Sequence, residues 1–214
     1  MKTVKQTATI LTEQSGEAAL KQIEYAARNC FASQDKISDD SYVRFVESLI
    51  KRGHEAPLEF ASMAVDITTS RDVLAEITRH RLSSFCVESQ RYIQEAKTGD
   101  IAFIEPHWLN EDDKISLSIW ESTMRMCENA YKLLISNGKP PEDARVVLPN
   151  STACRIIMRA NLREWRHIFE LRCSSRAYPP MRKLMRELLE KASAEYPVVF
   201  DDLKEKYIHG GGDD

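Results

Sequence analysis

The sequence has no apolar run approaching the roughly 20 residues of a membrane span, and its first residues lack the apolar stretch of a secretory signal. Its five cysteines form no CxxC pair and no disulfide-framework spacing. No GxGxxG segment follows a predicted strand, which argues against a Rossmann-type nucleotide site. We therefore expect a reduced, cytoplasmic protein with no membrane partner.

The charge balance gives no reason to expect a nucleic-acid partner. The chain has 30 Lys and Arg against 33 Asp and Glu, a formal net charge of −3, whereas duplex-binding surfaces are strongly basic. With 214 residues, 43% of them hydrophobic, the chain can bury a sizeable core. We expect one domain over residues 1–208, followed by a flexible Gly- and Asp-rich tail over 209–214.

Hydrophobic periodicity predicts mostly helices, with a few scattered strands. The predicted strands cover residues 7–11, 63–68 and 154–158. The predicted helices cover residues 17–31, 40–52, 70–78 and 112–137, a short segment after Pro140, a segment that Asn161 caps, and a last one from Pro180 to Ala192. This mixture predicts a helix-rich α+β fold, because the strands are too few for a doubly wound sheet.

The third predicted helix runs straight into Arg79, so three residues that are or can become cationic, Arg79, His80 and Arg81, lie together at its end. A helix C-terminus stabilises cations, which would explain the three residues without any ligand. However, Ser89 and Arg91 follow on a stretch without helical periodicity. Guanidinium groups together with a hydroxyl group are suited to a phosphate monoester, so the combination favours a phosphate-bearing ligand.

A second arginine-rich segment follows Pro149. Arg163 and His167 are four residues apart and therefore share a helix face, while Arg172 lies beside the apolar side of the same predicted helix. An arginine in that position has a desolvated role more often than a free one. The simpler alternative is a buried salt bridge, with Glu170 or Glu88 as the partner.

The chain resembles the flavin-dependent thymidylate synthases in the signature of that family. Here Arg79-His80-Arg81 is followed by seven residues, then Ser89, one further residue and Arg91. Three further segments are similar to that family and occur in the same order along the chain, namely 53–59, 144–149 and 161–172. The resemblance therefore covers roughly residues 15 to 205. It implies a helix-rich domain around a small, mostly antiparallel sheet, assembled as a homotetramer with active sites between subunits.

The resemblance also implies the reaction. Deoxyuridylate (dUMP) would be reductively methylated to thymidylate, with 5,10-methylenetetrahydrofolate as carbon donor and NADPH-reduced FAD as hydride source. Tetrahydrofolate would be released, and no protein nucleophile would take part. Arg172 would be the catalytic residue, because it would contact the uracil and favour ionisation at N3.

Site residues are carried over by position. The residues implied to bind dUMP are Glu76, Arg79, Val87, Glu88, Ser89, Gln90, Arg91, Arg145 and Arg172, with Arg145 coming from a neighbouring subunit. The residues implied to bind FAD are His54, Ala56, Glu59, Arg79, His80, Arg81, Val87, Asn161, Arg163 and His167. The chain departs from the family's usual residues at Ala56, Glu76 and Val87.

Three rival functions remain open from the residues alone. A cysteine nucleophile could be Cys86 or Cys173, although neither has an obvious base beside it in sequence. A non-catalytic nucleotide or nucleic-acid module would use the arginines from 155 to 176. A metal hydrolase would use His54, Glu55 and Glu59, but the HExxH spacing is absent because position 58 is Leu58, so we expect no metal.

Overall fold

The computed structural model of the chain describes residues 1–12, 14–91, 100–109 and 112–210. Within these ranges lie eight α-helices: α1 (Gly16–Asn29), α2 (Ser41–Lys51), α3 (Arg71–Ile77), α4 (Lys114–Ser136), α5 (Pro141–Ala144), α6 (Leu162–Arg172), α7 (Pro179–Glu195) and α8 (Pro197–Lys204). The strands in the same ranges are β1 (Lys2–Val4), β2 (Thr7–Ile10), β3 (Ser62–Ser70), β4 (Ser83–Val87), β5 (Ala102–Ile104) and β6 (Ala153–Asn161). Short 3₁₀ turns cover Gln34–Lys36, Ala56–Phe60 and Arg145–Val147, and a π-helical turn covers Glu205–His209.

Four strands form a sheet in the order β2-β3-β6-β4. Thr69 near the end of β3 bonds to Gln6, whereas the Leu11 N–H bonds to the carbonyl of Ala64 near its start, as antiparallel pairing requires. Strands β1 and β5 form a separate parallel pair, with Thr3 opposite Phe103. The expected helix-rich α+β fold with a small antiparallel sheet is therefore confirmed.

The chain divides into two compact units. The first contains Met1–Thr7, Ile67–Arg79 and Cys86–Ile156, and the second contains the remaining segments. In the first unit, the long helix α4 buries one apolar side against β5. The core side chains there are Ile101, Phe103, Trp120, Met124 and Tyr131.

The second unit has an aromatic core. Trp165 and Phe169 of α6 pack together, and Phe169 and Phe200 of α8 meet edge to face with ring centroids 5.4 Å apart. The Trp165 indole N–H donates to the carbonyl of Met63 at 2.9 Å, so the one polar atom of this buried ring is satisfied. Helix α6, which carries several candidate site residues, is thereby held by its apolar face.

Most expected helices and strands are confirmed, with four differences. The helix from Pro180 is not the last, because α8 follows it after Tyr196. Helix α3 ends at Ile77, so Arg79 lies beyond its C-cap. Strands β1, β4 and β5 were not predicted, since segments of three to five residues are too short to show a period. Of the expected flexible tail, His209 ends the π-helical turn, and residues 211–214 lie outside the described part of the chain.

The described helices include none that is both long and apolar enough to cross a bilayer. The expectation of one domain over residues 1–208 stays a prediction.

One arginine of α6 has a structural role. Arg166 is buried, and its Nε donates to Glu55 at 3.1 Å while Nη1 and Nη2 donate to Asp202 at 2.8 and 2.7 Å. Its Nη1 also donates to the carbonyl of Val199. These bonds tie α6 to α8 and to the residue that precedes the Ala56–Phe60 turn. Arg166 therefore anchors the turn that bears the predicted cofactor contacts Ala56 and Glu59.

Arg166 and Arg163 offer a matched comparison on one helix. Arg163 also pairs with a carboxylate, Glu59 at 2.6 Å, but both side chains are about half exposed. We expect Arg166→Ala to lower the free energy of unfolding by about 2 to 3 kcal/mol, because it removes a buried guanidinium and leaves the carbonyl of the buried Val199 without this donor. Arg163→Ala should cost less than about 1 kcal/mol, as exposed pairs do. Urea unfolding of the flavin-free chain measures both, and equal losses would contradict this assignment.

Candidate active site

The predicted substrate-binding segment follows β4 in the first unit. Glu88 anchors it: the Glu88 N–H donates to the carbonyl of Arg155 at 2.9 Å, and its carboxylate accepts from the Arg155 N–H at 3.2 Å. Arg71, at the start of α3, donates through Nη2 to the carbonyl of Glu88 at 3.3 Å. The hydroxyl of Ser89 then accepts from the Arg91 N–H at 3.3 Å. The signature's second half is thus a hydrogen-bonded turn rather than part of a helix.

The two arginines proposed for the phosphate both bond to Glu142. Arg91 lies 3.2 Å from the Glu142 carboxylate through both Nε and Nη2, and Arg145 donates through Nε to the Glu142 carbonyl at 3.1 Å. Both arginines are exposed. An exposed ion pair of this kind contributes little to stability, so an anion can compete with Glu142 for Arg91.

Two buried donors of the first unit lack a protein partner. They are Nε2 of Gln90 and Nε of Arg71, neither of which has a hydrogen-bond partner within the described ranges. An unsatisfied buried donor costs free energy, and such groups recur where a ligand completes the bonding. Gln90 was predicted to bind dUMP, whereas Arg71 was not singled out from the sequence.

In the second unit, Arg172 and His80 are directly bonded. Arg172 ends α6 and is half-buried, and its Nε donates to Nε2 of the buried His80 at 3.0 Å. The other ring nitrogen of His80, Nδ1, lies 3.6 Å from Oε1 of Glu164 in the first turn of α6. A histidine of the signature itself is therefore one partner of Arg172.

This environment keeps His80 neutral. Burial, followed by the charge of Arg172 and by His167, lowers the pKa of His80 from 6.5 to about 4. Burial also raises the pKa of the Glu164 carboxyl, against the opposing effect of His167. The His80 and His167 rings meet edge to face with centroids 6.3 Å apart. At neutral pH the imidazole of His80 therefore acts as a hydrogen-bond acceptor toward Arg172.

A cleft of about 510 Å³ opens in the second unit beside the first residues of β4. Two cations, Arg81 and Arg159, line it, and Arg159 is held by two bonds to the Ser62 hydroxyl at 2.8 and 3.1 Å. The buried hydroxyl of Ser83 also lines the cleft and has no hydrogen-bond partner in the described chain. The other lining residues are Glu59, Phe60, Ala61, Leu82, Ser84, Ala160 and Asn161.

Six further predicted cofactor residues lie in the same unit, and all except Asn161 are exposed. His54 follows α2, and Ala56 and Glu59 lie on the 3₁₀ turn after it. Asn161 caps α6 by accepting from the Glu164 N–H at 2.8 Å, as its spacing predicted. Arg163 and His167 are both exposed on α6, which confirms that they share a face.

The predicted residues divide unevenly between the units. Those for dUMP lie in the first unit except Arg172, and those for FAD lie in the second except Arg79 and Val87. The individual contacts with dUMP and FAD stay predictions. Sequence reasoning did not single out Arg71, Glu142, Ser83, Arg159 or Glu164 as site residues. No signal in the sequence indicates that Ser83 and Arg159 line one cleft, because β4 is too short to show a period.

The cysteines and acidic residues give little support to the rival chemistries. Cys173 is fully buried, and burial raises the pKa of its thiol to about 12, which leaves almost no thiolate at neutral pH. Cys86 is exposed. Across residues 1–12, 14–91, 100–109 and 112–210, no three His, Cys, Asp or Glu side chains group in a way that could hold a metal ion.

The depressed pKa of His80 predicts an acid-sensitive fold. Because protonation is disfavoured only in the folded state, the stability it contributes is complete above pH 6.5 and is lost as the pH falls toward 4. That loss amounts to roughly 3 kcal/mol. His80→Gln cannot titrate, so the difference in unfolding free energy between wild type and variant should narrow by this amount from pH 7 to 4. If urea unfolding gives the same difference in unfolding free energy at pH 7 and at pH 4, His80 is not held neutral in the folded chain.

The chain is similar to known proteins over most of its length. A flavin-dependent thymidylate synthase from Geobacter sulfurreducens is 35% identical over 187 residues, covering 84% of this chain and 80% of that protein. A probable flavin-dependent thymidylate synthase from Mycobacterium phage D29 is 32% identical over 202 residues, covering 88% and 85%.

Solved structures show the same fold. A UMP/dUMP methylase, PolB, from Streptomyces cacaoi bound with 5-Br dUMP matches with a TM-score of 0.78 at 21% identity, over 94% of this chain and 96% of that one. The family model described as thymidylate synthase complementing protein matches residues 11–198. The signature from Arg79 to Arg91 lies inside that match, and the chain therefore belongs to the thymidylate synthase complementing protein family.

Proposed function

We propose that this chain is a flavin-dependent thymidylate synthase. It methylates dUMP reductively to thymidylate, takes the carbon from 5,10-methylenetetrahydrofolate, and uses FAD with NADPH as the reductant. The observation that carries the proposal is the complete signature from Arg79 to Arg91, within a family match that spans residues 11–198. The relatives above, named as flavin-dependent thymidylate synthases, support it.

The second unit has donors suited to FAD. The cleft beside β4 presents the guanidinium groups of Arg81 and Arg159 and the unpartnered hydroxyl of Ser83, all of which can donate to phosphate or flavin oxygens. Arg163 and His167 add exposed donors on α6. We propose that these residues, with His54, Ala56, Glu59, Asn161 and the signature residues Arg79 to Arg81 and Val87, hold FAD. When bound, FAD supplies the reducing equivalents delivered by NADPH.

The first unit has donors suited to a nucleoside monophosphate. Arg91 and Arg145 present exposed guanidinium groups, and Gln90 presents a buried amide donor without a partner in the described chain. We propose that Arg91 and Arg145 hold the phosphate, with Arg91 exchanging Glu142 for a phosphate oxygen. Glu76, Arg79, Val87, Glu88 and Ser89 complete the substrate contacts.

Arg172 is the proposed catalytic residue. Carbon 5 of the uracil must become nucleophilic, and a cation beside the ring stabilises the negative charge that develops when N3 ionises. An arginine keeps its charge throughout, so it acts as an electrostatic stabiliser and not as a proton carrier. Its half-buried position strengthens this effect, because the site there contains less water than the surface.

No cysteine is proposed as a nucleophile. The thiol of Cys173, although next to Arg172 in sequence, is buried and protonated at neutral pH. Cys86 lies on β4 inside the signature and is exposed. Thymidylate formation is therefore proposed to proceed without a covalent link to the protein.

The proposed assembly is a cytoplasmic homotetramer in which Arg145 reaches the substrate of a neighbouring subunit. An apolar stripe on the solvent side of α4 supports association, because Ile115, Ile119, Met126 and Leu133 recur at helical spacing and are 62% to 76% exposed. Contiguous exposed apolar side chains of this kind mark protein interfaces. Val146, beside Arg145, is 81% exposed, which supports an interface next to the proposed phosphate contact.

Turnover of labelled substrate tests the function. Thymidylate and tritiated water should form from 5-tritiated dUMP only when FAD, NADPH and methylenetetrahydrofolate are all present. Thymidylate formation that persists without flavin would overturn the proposal. Cys86→Ala should keep measurable turnover, whereas complete loss in a folded, flavin-loaded variant would favour the cysteine-nucleophile alternative.

Removal of Arg91 and removal of Arg172 should change different kinetic parameters. Phosphate charge does not change during the reaction, so Arg91→Ala should raise the KM for dUMP more than it lowers kcat. Arg172 meets charge that grows in the transition state, so Arg172→Ala should lower kcat by about 100-fold or more at saturating dUMP. Arg172→Lys should restore little, because an ammonium lacks a planar fork of donors.

Steady-state kinetics on flavin-saturated variants, with melting temperatures measured alongside, separates these effects. The exposed Arg125 on α4 offers a control, since Arg125→Ala should change neither parameter. Near-normal kcat in folded Arg172→Ala would remove Arg172 from the chemistry while leaving the family assignment intact.

A further inference from the structure

His80 occupies a position from which it can control Arg172. It is 6% exposed, and both of its ring nitrogens are directed at side chains of α6, Arg172 at 3.0 Å and Glu164 at 3.6 Å. Arg172 and Glu164 lie eight positions apart, so they are about 12 Å apart along the helix axis. His80 thus bridges the first and last turns of α6.

The bond from Arg172 dictates the tautomer of His80. A guanidinium N–H can only donate, so Nε2 of His80 must carry its lone pair and the ring proton must be on Nδ1. That proton then faces the Glu164 carboxylate. A proton on Nε2 instead would place two donors against each other at 3.0 Å. Burial, which disfavours the protonated ring, acts in the same direction.

Holding Nε sets the orientation of the whole guanidinium. The group is planar, and its other four N–H donors are on Nη1 and Nη2, so a fixed Nε defines the plane in which those donors lie. Loss of the bond to His80 removes the contact that holds Nε, and the plane of the donors is then less restricted. An electrostatic stabiliser is effective only when its donors are oriented before charge develops.

We propose that His80 is a positioning residue for Arg172, that its neutral imidazole orients the guanidinium toward the uracil ring, and that the negative charge of Glu164, 3.6 Å from Nδ1, favours the required tautomer. This inference rests on the proposed function, since it assigns a task to the proposed catalytic residue. It is independent of the prediction that His80 contacts FAD. It also gives Glu164, which was not singled out from the sequence, a place in the site.

Two substitutions separate orientation from packing. His80→Phe keeps the ring and removes the acceptor, so kcat should fall about 10- to 100-fold with little change in the KM for dUMP, as expected when a catalytic group is misplaced. His80→Gln keeps a neutral acceptor near the Nε2 position and should recover a substantial part of that loss. His209→Gln, at an exposed histidine of the π-helical turn, is the control and should behave as wild type.

The tautomer itself provides a readout that does not depend on activity. Nitrogen-15 NMR of the full-length, flavin-loaded chain with labelled histidine should show one of the five imidazoles, absent in His80→Gln, with its proton on Nδ1 at neutral pH. Glu164→Leu should shift this signal toward a tautomer mixture and lower kcat. A proton on Nε2 in the wild-type chain would overturn the proposal. This measurement does not depend on whether His80→Phe folds.

The outcomes separate this inference from the proposed function. If the wild type forms no thymidylate, the function fails, and the NMR tautomer still tests the geometry. If the wild type is active and His80→Phe keeps a normal kcat with full flavin, the positioning role fails and the function survives. Equal losses of kcat in His80→Phe and His80→Gln would also reject the positioning role. A purely structural role would not depend on whether the side chain at position 80 is a hydrogen-bond acceptor.

Discussion

Helix α6 can pack in the second unit only if its buried polar side chains are hydrogen-bonded, and the candidate site depends on how this is achieved. Trp165 donates to Met63, and Arg166 donates to Glu55, Asp202 and Val199. A buried charge without such partners would cost several kcal/mol. The same bonds fix the rotation of α6 about its axis, which leaves Arg163 and His167 exposed and places Arg172 beside His80.

Electrostatics at the end of α6 follow from burial and from the permanence of the arginine charge. Burial is the main cause of the lowered pKa of His80, and the charge of Arg172, which cannot lose its proton, acts in the same direction. The pair then has one net positive charge in a partly dehydrated position, where a developing anion is stabilised more strongly than in water. A lysine at position 172 could lose its proton more readily than arginine does, and the positive charge would then be lost.

The described chain also leaves several donors unsatisfied. Gln90 and Arg71 in the first unit and Ser83 in the second each have a buried donor atom without a protein partner. Native proteins tolerate few such atoms, because each costs free energy in the folded state. Their occurrence at or beside the signature segments is explained if ligand oxygens complete the bonding, which is consistent with two ligands that are rich in phosphate and carbonyl groups.

The sequence by itself determined the α+β fold class, the position of nearly every long helix and the family, because periodicity, capping residues such as Asn161 and a spaced signature are properties of the chain order. It could not reveal the strands β1 and β5, which are too short to show a period, or α8, which follows α7 after the single residue Tyr196. It also could not separate Arg166 from Arg163, since both are arginines on one helix. Only the tertiary structure decided that Arg166 is a buried anchor, that Glu142 bonds to both Arg91 and Arg145, and that His80 bonds to Arg172. The physical reason is that such bonds join residues up to 111 positions apart, and their existence depends on which helix faces are buried.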